Sequence, residues 1–569
     1  MSYKVLIIGG VALGPKAASR CKRLMPEAEI TLIDENNYIS YGGCGLPYYI
    51  SGEINNLDDL RATPYHTIRD PQFFASMKGV TVKNHTRALA IDRAAKTVLV
   101  KNVVTGQQES LPYDKLVLAT GATPRMPPVA GHDLQGVHSV TRMEAAGLIR
   151  QVCQEGKVEK AVIVGAGFIG LEVAVALADM WGVECSVVEM MPQMLPGVLS
   201  ANFGKMAEHD FAQHKVALYA DEKVLRLEGT DGRVSKVITN KRELDAQLVI
   251  FAAGFLPNGQ LAKEAGLDVA PFGAVMVNEH MQTSDPDIYA GGDCCAIPNL
   301  ITGKVGYLPL GSLANRQGRI IGTNLAGGDS VFAGYVGTWA VKLFDMSFCG
   351  VGLTIERARK EGYDAVAVAV EQLDRAHFYP EKNMMSLELV VEKGTRRVLG
   401  LQGACTAGDA LKARIDAVAA VLQYSKPTLD DIANLEVAYA PPFASAMDVV
   451  NAVANAADNV LAGRFKTATA SEFVELWQKR AENKLFFIDA RPKAGSKALA
   501  EKYPDAWHGI SMEEIITGAV EIPEHVDVAL ICNTGLRSYE AELVLQRKGH
   551  KVINSMGGMQ AVMKTGGII

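Results

Sequence analysis

Two cysteines stand in settings where sulfur could react. Cys44 lies in Ser40-Tyr-Gly-Gly-Cys-Gly-Leu-Pro-Tyr-Tyr49, with glycines on both sides that leave the sulfur uncrowded and let a ligand come close to the backbone. An unperturbed thiol of pKa ~8.5 is only about 3% thiolate at pH 7, so nucleophilic work by Cys44 calls for a helix N-terminus or an electron-poor neighbour that lowers its pKa. Cys532 closes the apolar run Val528-Ala-Leu-Ile-Cys532 and opens the loop Asn-Thr-Gly-Leu-Arg537-Ser538. A strand that breaks into a short loop before a helix lets backbone N–H groups converge on the sulfur as an anion cradle. Arg537 would add a cation that favours thiolate or persulfide. The nine cysteines form an odd, scattered set with no CxxC pair, so neither a zinc site nor a dithiol centre is expected and no metal is assigned.

The elements that must position these sulfurs repeat one signal. Lys4-Val-Leu-Ile-Ile-Gly-Gly and Lys160-Ala-Val-Ile-Val-Gly-Ala-Gly are each a short apolar strand that breaks into glycines and then an Ala-rich helix. In the second copy Gly165, Gly167 and Gly170 make a full GxGxxG. Glu189 ends the next strand close to the ~20-residue spacing of a carboxylate that holds a ribose hydroxyl. In the first copy Gly9, Gly10 and Gly14 carry the turn, Val11 replaces the middle glycine, and Asp34 closes the following strand. Two dinucleotide folds in one chain imply two nucleotides, one a flavin or nicotinamide and the other its redox partner, and hence a hydride relay. Met190, Met191, Pro192 and Gln193 follow Glu189, with no arginine to receive a 2′-phosphate, so NADH is expected over NADPH.

Further along, Tyr113-Asp-Lys-Leu-Val-Leu-Ala-Thr120-Gly121-Ala-Thr-Pro124 and Gln247-Leu-Val-Ile-Phe-Ala-Ala-Gly-Phe-Leu-Pro-Asn258 again pair a strand with a glycine turn. Thr283-Ser-Asp-Pro-Asp-Ile-Tyr-Ala-Gly-Gly-Asp293 sets a carboxylate just after a buried strand. In this order the motifs resemble the pyridine nucleotide-disulfide oxidoreductases over residues 1 to about 450. The resemblance implies an α/β protein with two Rossmann-like dinucleotide-binding domains. Residues 1–150 and 251–330 would bind FAD, residues 151–250 NADH, and residues 331–451 would form an α+β dimerisation domain of a homodimer. It further implies that Gly9, Gly10, Gly14, Asp34, Thr120, Gly121 and Asp293 surround FAD, Asp293 at its ribityl chain, and that Gly165, Gly167, Gly170 and Glu189 hold NADH. Residues 452–470 (AVANAADNVLAGRFKTATA), small and polar without apolar periodicity, read as a linker to an extra α/β unit over 471–569.

Cys44-Gly-Leu-Pro-Tyr, with Gly52-Glu-Ile behind it, resembles the single-cysteine branch of that superfamily, the coenzyme A-disulfide reductases and NADH-dependent persulfide reductases. There the lone cysteine forms a mixed disulfide with CoA; Gly43 departs from the asparagine usual in the branch. The resemblance implies Arg20, Arg23 and Arg61 as contacts to the CoA phosphates, although with Lys16 and Lys22 they also read as a solvated face. Tyr379 and Tyr439 would reach across the dimer to the partner subunit's Cys44 and donate to a leaving thiolate, with packing at the interface as the alternative. Phe486-Phe-Ile-Asp489-Ala-Arg491, the Cys532 loop and Gly549-His-Lys-Val-Ile-Asn-Ser-Met-Gly-Gly-Met559 resemble a rhodanese domain, whose loop cysteine carries sulfane sulfur. Residues 493–520 depart from that pattern, and a catalytically silent domain is the alternative. The implied activity is an FAD- and CoA-dependent NADH persulfide or polysulfide reductase with CoA-disulfide reductase activity. Electrons would pass from NADH to FAD to the Cys44 mixed disulfide, with sulfane sulfur handled by Cys532. An NADH oxidase or peroxidase using a Cys44 sulfenic acid, and a flavoprotein sulfur sensor or carrier, stay open.

The chain as a whole is compatible with this. Its 569 residues allow about three or four domains, and 48% hydrophobic with 21% charged residues is ordinary globular composition. With 57 Lys+Arg against 63 Asp+Glu the net charge is -6, which gives no reason to expect a nucleic acid or membrane partner. The start MSYKVLII has no signal-peptide pattern and no apolar run of about 18 residues occurs, so with its free thiols the protein is expected to be cytoplasmic.

Overall fold

Aliphatic residues run unbroken through Lys4–Ile8 and Lys160–Val164 because each strand sits within a parallel sheet covered on both faces. A computed structural model of the chain describes residues 3–567 and 569 and divides into two bodies. One contains the chain up to Met190 together with Glu222–Tyr335, the other Met191–Asp221 together with Val336–Ile569.

In the first body a parallel sheet has the order Ile288–Ala290, Lys115–Leu118, Lys4–Ile8, Glu29–Ile33, Thr81–Lys83. Lys4 pairs with Glu29 and Ile8 with Ile33, which brings Gly9 and Asp34 to the same carboxyl-terminal edge of the sheet. Ile288–Ala290 re-enters this sheet and carries Asp293 to that edge, so the first nucleotide unit is discontinuous in sequence. A second parallel set runs Glu184–Val188, Lys160–Val164, Leu248–Phe251, Val137–His138. Val137–His138 precedes residue 151, so the second nucleotide unit begins earlier than the sequence pattern places it; a two-residue strand leaves no periodic signal. Ligands in such sheets bind beyond the carboxyl ends of the strands, where both glycine turns lie.

In the second body five antiparallel strands have the order Trp339–Leu343, Met346–Gly352, Val398–Cys405, Met384–Glu392, Ala365–Leu373. The helix Gly408–Tyr424 packs on Met346–Gly352 and Val398–Cys405. The expected linker is corrected here: Val449–Leu461 is a helix that packs on Ala365–Leu373 and Met384–Glu392, burying Val449, Val450, Val453, Ala454 and Ala457. Positions 449, 450, 453, 454 and 457 follow the helical period, and starting the linker at residue 452 cuts off the first turn that carries it. Only residues 462–466 connect it to a five-stranded parallel sheet, ordered Thr467–Ala468, Val552–Ser555, Val528–Ile531, Phe486–Asp489, Trp507–His508. Among the described residues no helix is long and apolar enough to cross a membrane, and no group of three or more His, Cys, Asp or Glu could hold a metal ion.

Candidate active site

The two glycine turns share one construction. A Cβ on Gly14 would lie 2.0 Å from the Gly9 carbonyl oxygen, and one on Gly170 2.1 Å from that of Gly165, so each helix packs against its own turn too closely for any side chain. The amide after each first glycine donates to the carboxylate ending the next strand, Gly10 to Asp34 Oδ2 at 2.7 Å and Ala166 to Glu189 Oε2 at 2.8 Å. Asp34 Oδ1 also accepts from the Asn36 amide at 2.8 Å and its side chain at 2.9 Å. Gly167 is different. Nothing lies within 4 Å of where its Cβ would be, which leaves room for a pyrophosphate at the N-terminus of the helix Phe168–Val175. Gly121, at φ +66°, faces open space as well. Its turn is locked to Asn258, whose carbonyl accepts from Thr120 Oγ1 at 2.7 Å and whose side chain donates to the Thr120 carbonyl at 2.8 Å. Burial alone pushes the Asp293 carboxyl up to about 6, with no hydrogen bond reaching it among the described residues. A desolvated carboxyl without a donor, beside the glycine turns, suits a ligand that brings hydroxyls.

Cys44 is exposed in the short turn Gly43–Gly45. The segment is fixed by Ser40 N to Gly10 O at 2.8 Å, Gly42 N to Leu60 O at 2.8 Å and Gly45 N to Gly42 O at 2.9 Å. A Cβ on Gly45 would strike Leu60 at 2.4 Å, whereas one on Gly43 would meet only Tyr41 at 3.9 Å, so the position lacking asparagine has room for a side chain. The helix Leu46–Ser51 is held by Arg150, which donates to Tyr49 O at 3.1 Å and Ile54 O at 2.7 Å, and by Trp181 Nε1, which donates to Ile50 O at 2.8 Å. A Cβ on Gly311 would lie 4.0 Å from Cys44 Sγ, which puts the sulfur at the N-terminus of the 15-residue helix Gly311–Leu325, without acids in its first turn. The protein groups around the sulfur work against the lowered thiol pKa expected from the sequence. The walls around the sulfur withdraw enough water to push the thiol up, and the carboxylates of Glu172 and Asp293 push it the same way. Burial in turn pushes Glu172 up to about 7, with the Tyr48 hydroxyl 3.5 Å from its Oε1. Sequence spacing does not reveal that carboxyls so distant in the chain converge on one sulfur.

The arginines are not gathered by contacts with one another. Arg20 Nε donates to Thr323 Oγ1 at 3.0 Å, Arg61 pairs with Asp58 at 2.7 Å and lies over the Tyr38 ring, and Arg23 is exposed. In the second body Tyr379 is half-buried in the turn after Ala365–Leu373, and Tyr439 is exposed. Their loops meet through Ala376 N to Pro441 O at 3.3 Å and Ser445 Oγ to Arg375 O at 3.1 Å. Arg414, only 5% exposed, clamps both: its Nη2 donates to Asp374 O at 3.0 Å, Phe443 O at 2.9 Å and Asp448 Oδ2 at 2.8 Å. Sequence reasoning missed Arg414. Its signal was a lone arginine within the apolar stripe Leu411, Ile415, Val418 of its helix.

Cys532 is 1% exposed, and its sulfur accepts from the Gly535 amide at 3.2 Å and from Ser538 Oγ at 3.3 Å. Gly535, at φ +97°, caps the helix Leu536–Arg547 and turns its amide to the sulfur. Arg537 is exposed and makes no hydrogen bond to Sγ among the described residues; Ser538, which sequence reasoning passed over, takes the near position. Asp489, fully buried, accepts from Arg491 at 2.6 Å and from Trp507 Nε1 at 3.2 Å, bracing the sheet beside Val528–Ile531.

The description "Pyridine nucleotide-disulphide oxidoreductase" matches residues 3–318, and its "dimerisation domain" matches residues 338–450. The NAD(P)H coenzyme A polysulfide/persulfide reductase of Pyrococcus horikoshii is 35% identical over 448 residues, 79% of this chain and 97% of that protein. Two solved structures extend over the C-terminal sheet as well. The NAD-dependent persulfide reductase from A. fulgidus is 38% identical with a TM-score of 0.91, covering 98% of this chain and 99% of that one. The reduced CoADR-RHD protein of Bacillus anthracis is 29% identical with a TM-score of 0.88, covering 99% and 98%. With both nucleotide turns, the antiparallel sheet and the matched residues in agreement, the chain belongs to the pyridine nucleotide-disulphide oxidoreductase family.

Proposed function

We propose that this chain is a homodimeric, FAD- and CoA-dependent NADH persulfide or polysulfide reductase that also reduces CoA disulfide. The observation that carries the reading is the presence of two sulfur centres of different construction in one chain. Cys44 is exposed at a helix N-terminus, and Cys532 is buried among an N–H and an O–H donor. An NADH oxidase would leave Cys532 without a task, and the persulfide reductase of A. fulgidus resembles this chain over nearly its whole length.

Gly9, Gly10, Gly14, Asp34, Thr120, Gly121 and Asp293 would hold FAD; the unpartnered Asp293 carboxyl and the open face of Gly121 support this. Gly165, Gly167, Gly170 and Glu189 would hold NADH, with the Glu189 carboxylate refusing a 2′-phosphate. FAD when bound supplies two-electron transfer between a nicotinamide and a disulfide. Cys44 thiolate attacks the CoA-side sulfur of a CoA persulfide; the Cys44–CoA disulfide forms, the persulfide S–S bond breaks, and hydrosulfide leaves with the electron pair. With CoA disulfide the leaving group is CoA thiolate. Reduction by two electrons returns Cys44 thiolate and CoA thiolate. Cys532 holds sulfane sulfur as a persulfide, its charge met by the Gly535 amide and the Ser538 hydroxyl, and a thiolate attacking the outer sulfur leaves Cys532 thiolate behind. Tyr379 and Tyr439 would donate to the thiolate leaving the partner subunit's Cys44. Arg20, Arg23 and Arg61 would meet the CoA phosphates, Arg61 by exchanging Asp58 for phosphate, and Arg537 would draw anionic sulfur substrates to the Cys532 loop. Steady-state NADH consumption tests the reading. Turnover with CoA persulfide, polysulfide and CoA disulfide should exceed that with oxygen or peroxide, and the reverse order would overturn it.

A further inference from the structure

The strand Ala365–Leu373 is the outer strand of the antiparallel sheet, and an open edge exposes unpaired amides. Here the edge is covered by the turn that leads into the last helix, Gly558–Lys564. The Ala369 amide donates to Met556 Sδ at 3.4 Å, and a Cβ on Gly557, at φ +70°, would lie 2.9 Å from Glu371 Cγ, so the Glu371 side chain lies against this glycine. Lys564 Nζ lies 2.7 Å from Glu371 Oε2, 2.8 Å from Ser386 Oγ and 3.2 Å from Met384 O, which uses all three ammonium protons. Ser386 Oγ in turn donates to Glu371 Oε1 at 2.5 Å. The Lys564 and Glu371 side chains are 19% and 2% exposed, so this is a largely desolvated pair whose partners are all present.

The same turn touches the sulfur loop from its other side. Met559 N donates to Cys532 O at 2.9 Å and Gln560 N to Asn533 O at 3.0 Å, and a Cβ on Gly558 would lie 2.4 Å from Cys532 O. Just beyond Glu371 the edge strand runs into Asp374, whose carbonyl Arg414 holds, and then into the turn of Tyr379. One short segment, 556–560, is therefore pinned to the Cys532 loop on one side and to the strand leading to Tyr379 on the other.

We infer that Lys564, Glu371 and Ser386 form a latch that fixes the Cys532 loop to the strand leading to Tyr379, so that sulfane sulfur leaves Cys532 from a docked C-terminal sheet that does not detach during turnover. The three are positioning residues, and the inference rests on the reading of Cys532 as the sulfur carrier. A sheet that swung free would leave the Glu371 carboxylate without its cation beneath a sheet edge stripped of its cover.

The test uses the full-length holoenzyme. Lys564→Met and Glu371→Gln should each lower NADH oxidation with polysulfide at least tenfold. CoA-disulfide reduction, and sulfur transfer from thiosulfate to cyanide, which needs only the Cys532 loop, should stay within about twofold of wild type. Wild-type polysulfide turnover in both variants would overturn the latch. Because either variant could loosen the fold more broadly, a second construction locks the sheet: Ala369→Cys with Met556→Cys, oxidised to a disulfide. The locked enzyme should keep polysulfide turnover, and its loss on locking would show that detachment is required and sink the inference. Cys532→Ser run alongside separates the two ideas. Unchanged polysulfide turnover there removes the carrier reading and the latch's purpose with it, whereas loss there with no effect of Lys564→Met removes the latch alone.

Discussion

Replacing Arg414 by lysine should loosen the two tyrosine-bearing loops without unfolding the chain. The two protons of Arg414 Nη2 are shared among the Asp374 and Phe443 carbonyls and the Asp448 carboxylate, at 3.0, 2.9 and 2.8 Å, while Nε also reaches Asp448 Oδ2 at 3.2 Å, inside a site where Arg414 is 5% exposed. An ammonium is a compact point donor on a shorter reach; it can keep Asp448 and one carbonyl, and it forfeits one or two charge-assisted bonds of about 1.5–3 kcal/mol each. Local opening should become easier by about 2–4 kcal/mol, a factor of roughly thirty to a thousand at about 1.4 kcal/mol per decade. Amide hydrogen exchange over residues 374–383 and 437–448 should speed up by that factor, while exchange in the parallel sheet around Lys4–Ile8 stays as in wild type. If Tyr379 and Tyr439 act on the sulfur substrate as proposed, CoA-disulfide kcat should fall with KM for NADH unchanged. Unchanged exchange in both loops would refute the clamp. Faster exchange with undiminished kcat would refute the assignment of Tyr379 and Tyr439 to the reaction. Arg414→Met should be harsher, because it strands the buried Asp448 carboxylate, a loss of about 3–5 kcal/mol.

Cys44→Ser should retain FAD and still be bleached by NADH yet lose disulfide and persulfide turnover; turnover at the wild-type rate would remove Cys44 from the chemistry. The Glu189 carboxylate should disfavour a 2′-phosphate by about 1–3 kcal/mol, so kcat/KM for NADH should exceed that for NADPH about tenfold to a hundredfold, and equal values would end that assignment. Ser538→Ala removes the hydroxyl that reaches Cys532 Sγ at 3.3 Å and should slow thiosulfate-to-cyanide transfer about tenfold or more, as expected for a bond to an anion of about 1.5–3 kcal/mol. Glu172→Gln deletes a charge that pushes the Cys44 thiol up, so the pH profile of Cys44 alkylation should move to lower pH. Because Glu172 is itself pushed up to about 7, the difference from wild type should be small below that pH, where its carboxyl is protonated, and should grow above it. A profile displaced to higher pH would contradict the electrostatics.

Strand-to-turn-to-helix units were legible because their signals are local and strong: an apolar strand, a glycine that must turn, and a carboxylate a fixed distance on. The structure adds that Gly10 and Ala166 donate to those carboxylates in the same way, so the first copy keeps this bond with Val11 in place of its middle glycine. What sequence hid is of two kinds. A two-residue strand such as Val137–His138 is too short to print a period, and the helix Val449–Leu461 is split where its small, polar second half reads as a linker although its buried positions keep helical spacing. Long-range convergence is the other kind: Glu172 and Asp293 meet Cys44 from distant segments, and Arg414 joins loops on either side of its own helix. Such contacts depend on tertiary packing, and no spacing rule carries them. Arg537, close in sequence to Cys532, is exposed, while the smaller Ser538, which carries no sequence signal, faces the sulfur.

The two sulfurs are built for different tasks by opposite means. Cys532 is enclosed, with an amide and a hydroxyl aimed at it, so charge on that sulfur is met by protein donors in place of water. Cys44 is reachable from solvent but faces two carboxyls that hold it toward the neutral thiol. A cysteine that reacts with peroxide needs access together with a thiolate, because susceptibility to sulfenic acid follows both. Cys44 has the access, while the two carboxyls oppose the charge. A persulfide reductase and a sulfenic acid cycle both need the Cys44 thiolate, so the carboxyls weigh on the two readings alike, and it is the donors around Cys532 that favour the persulfide reading. The helix N-terminus of Gly311–Leu325 supplies the remaining bias toward thiolate once those carboxyls are neutralised.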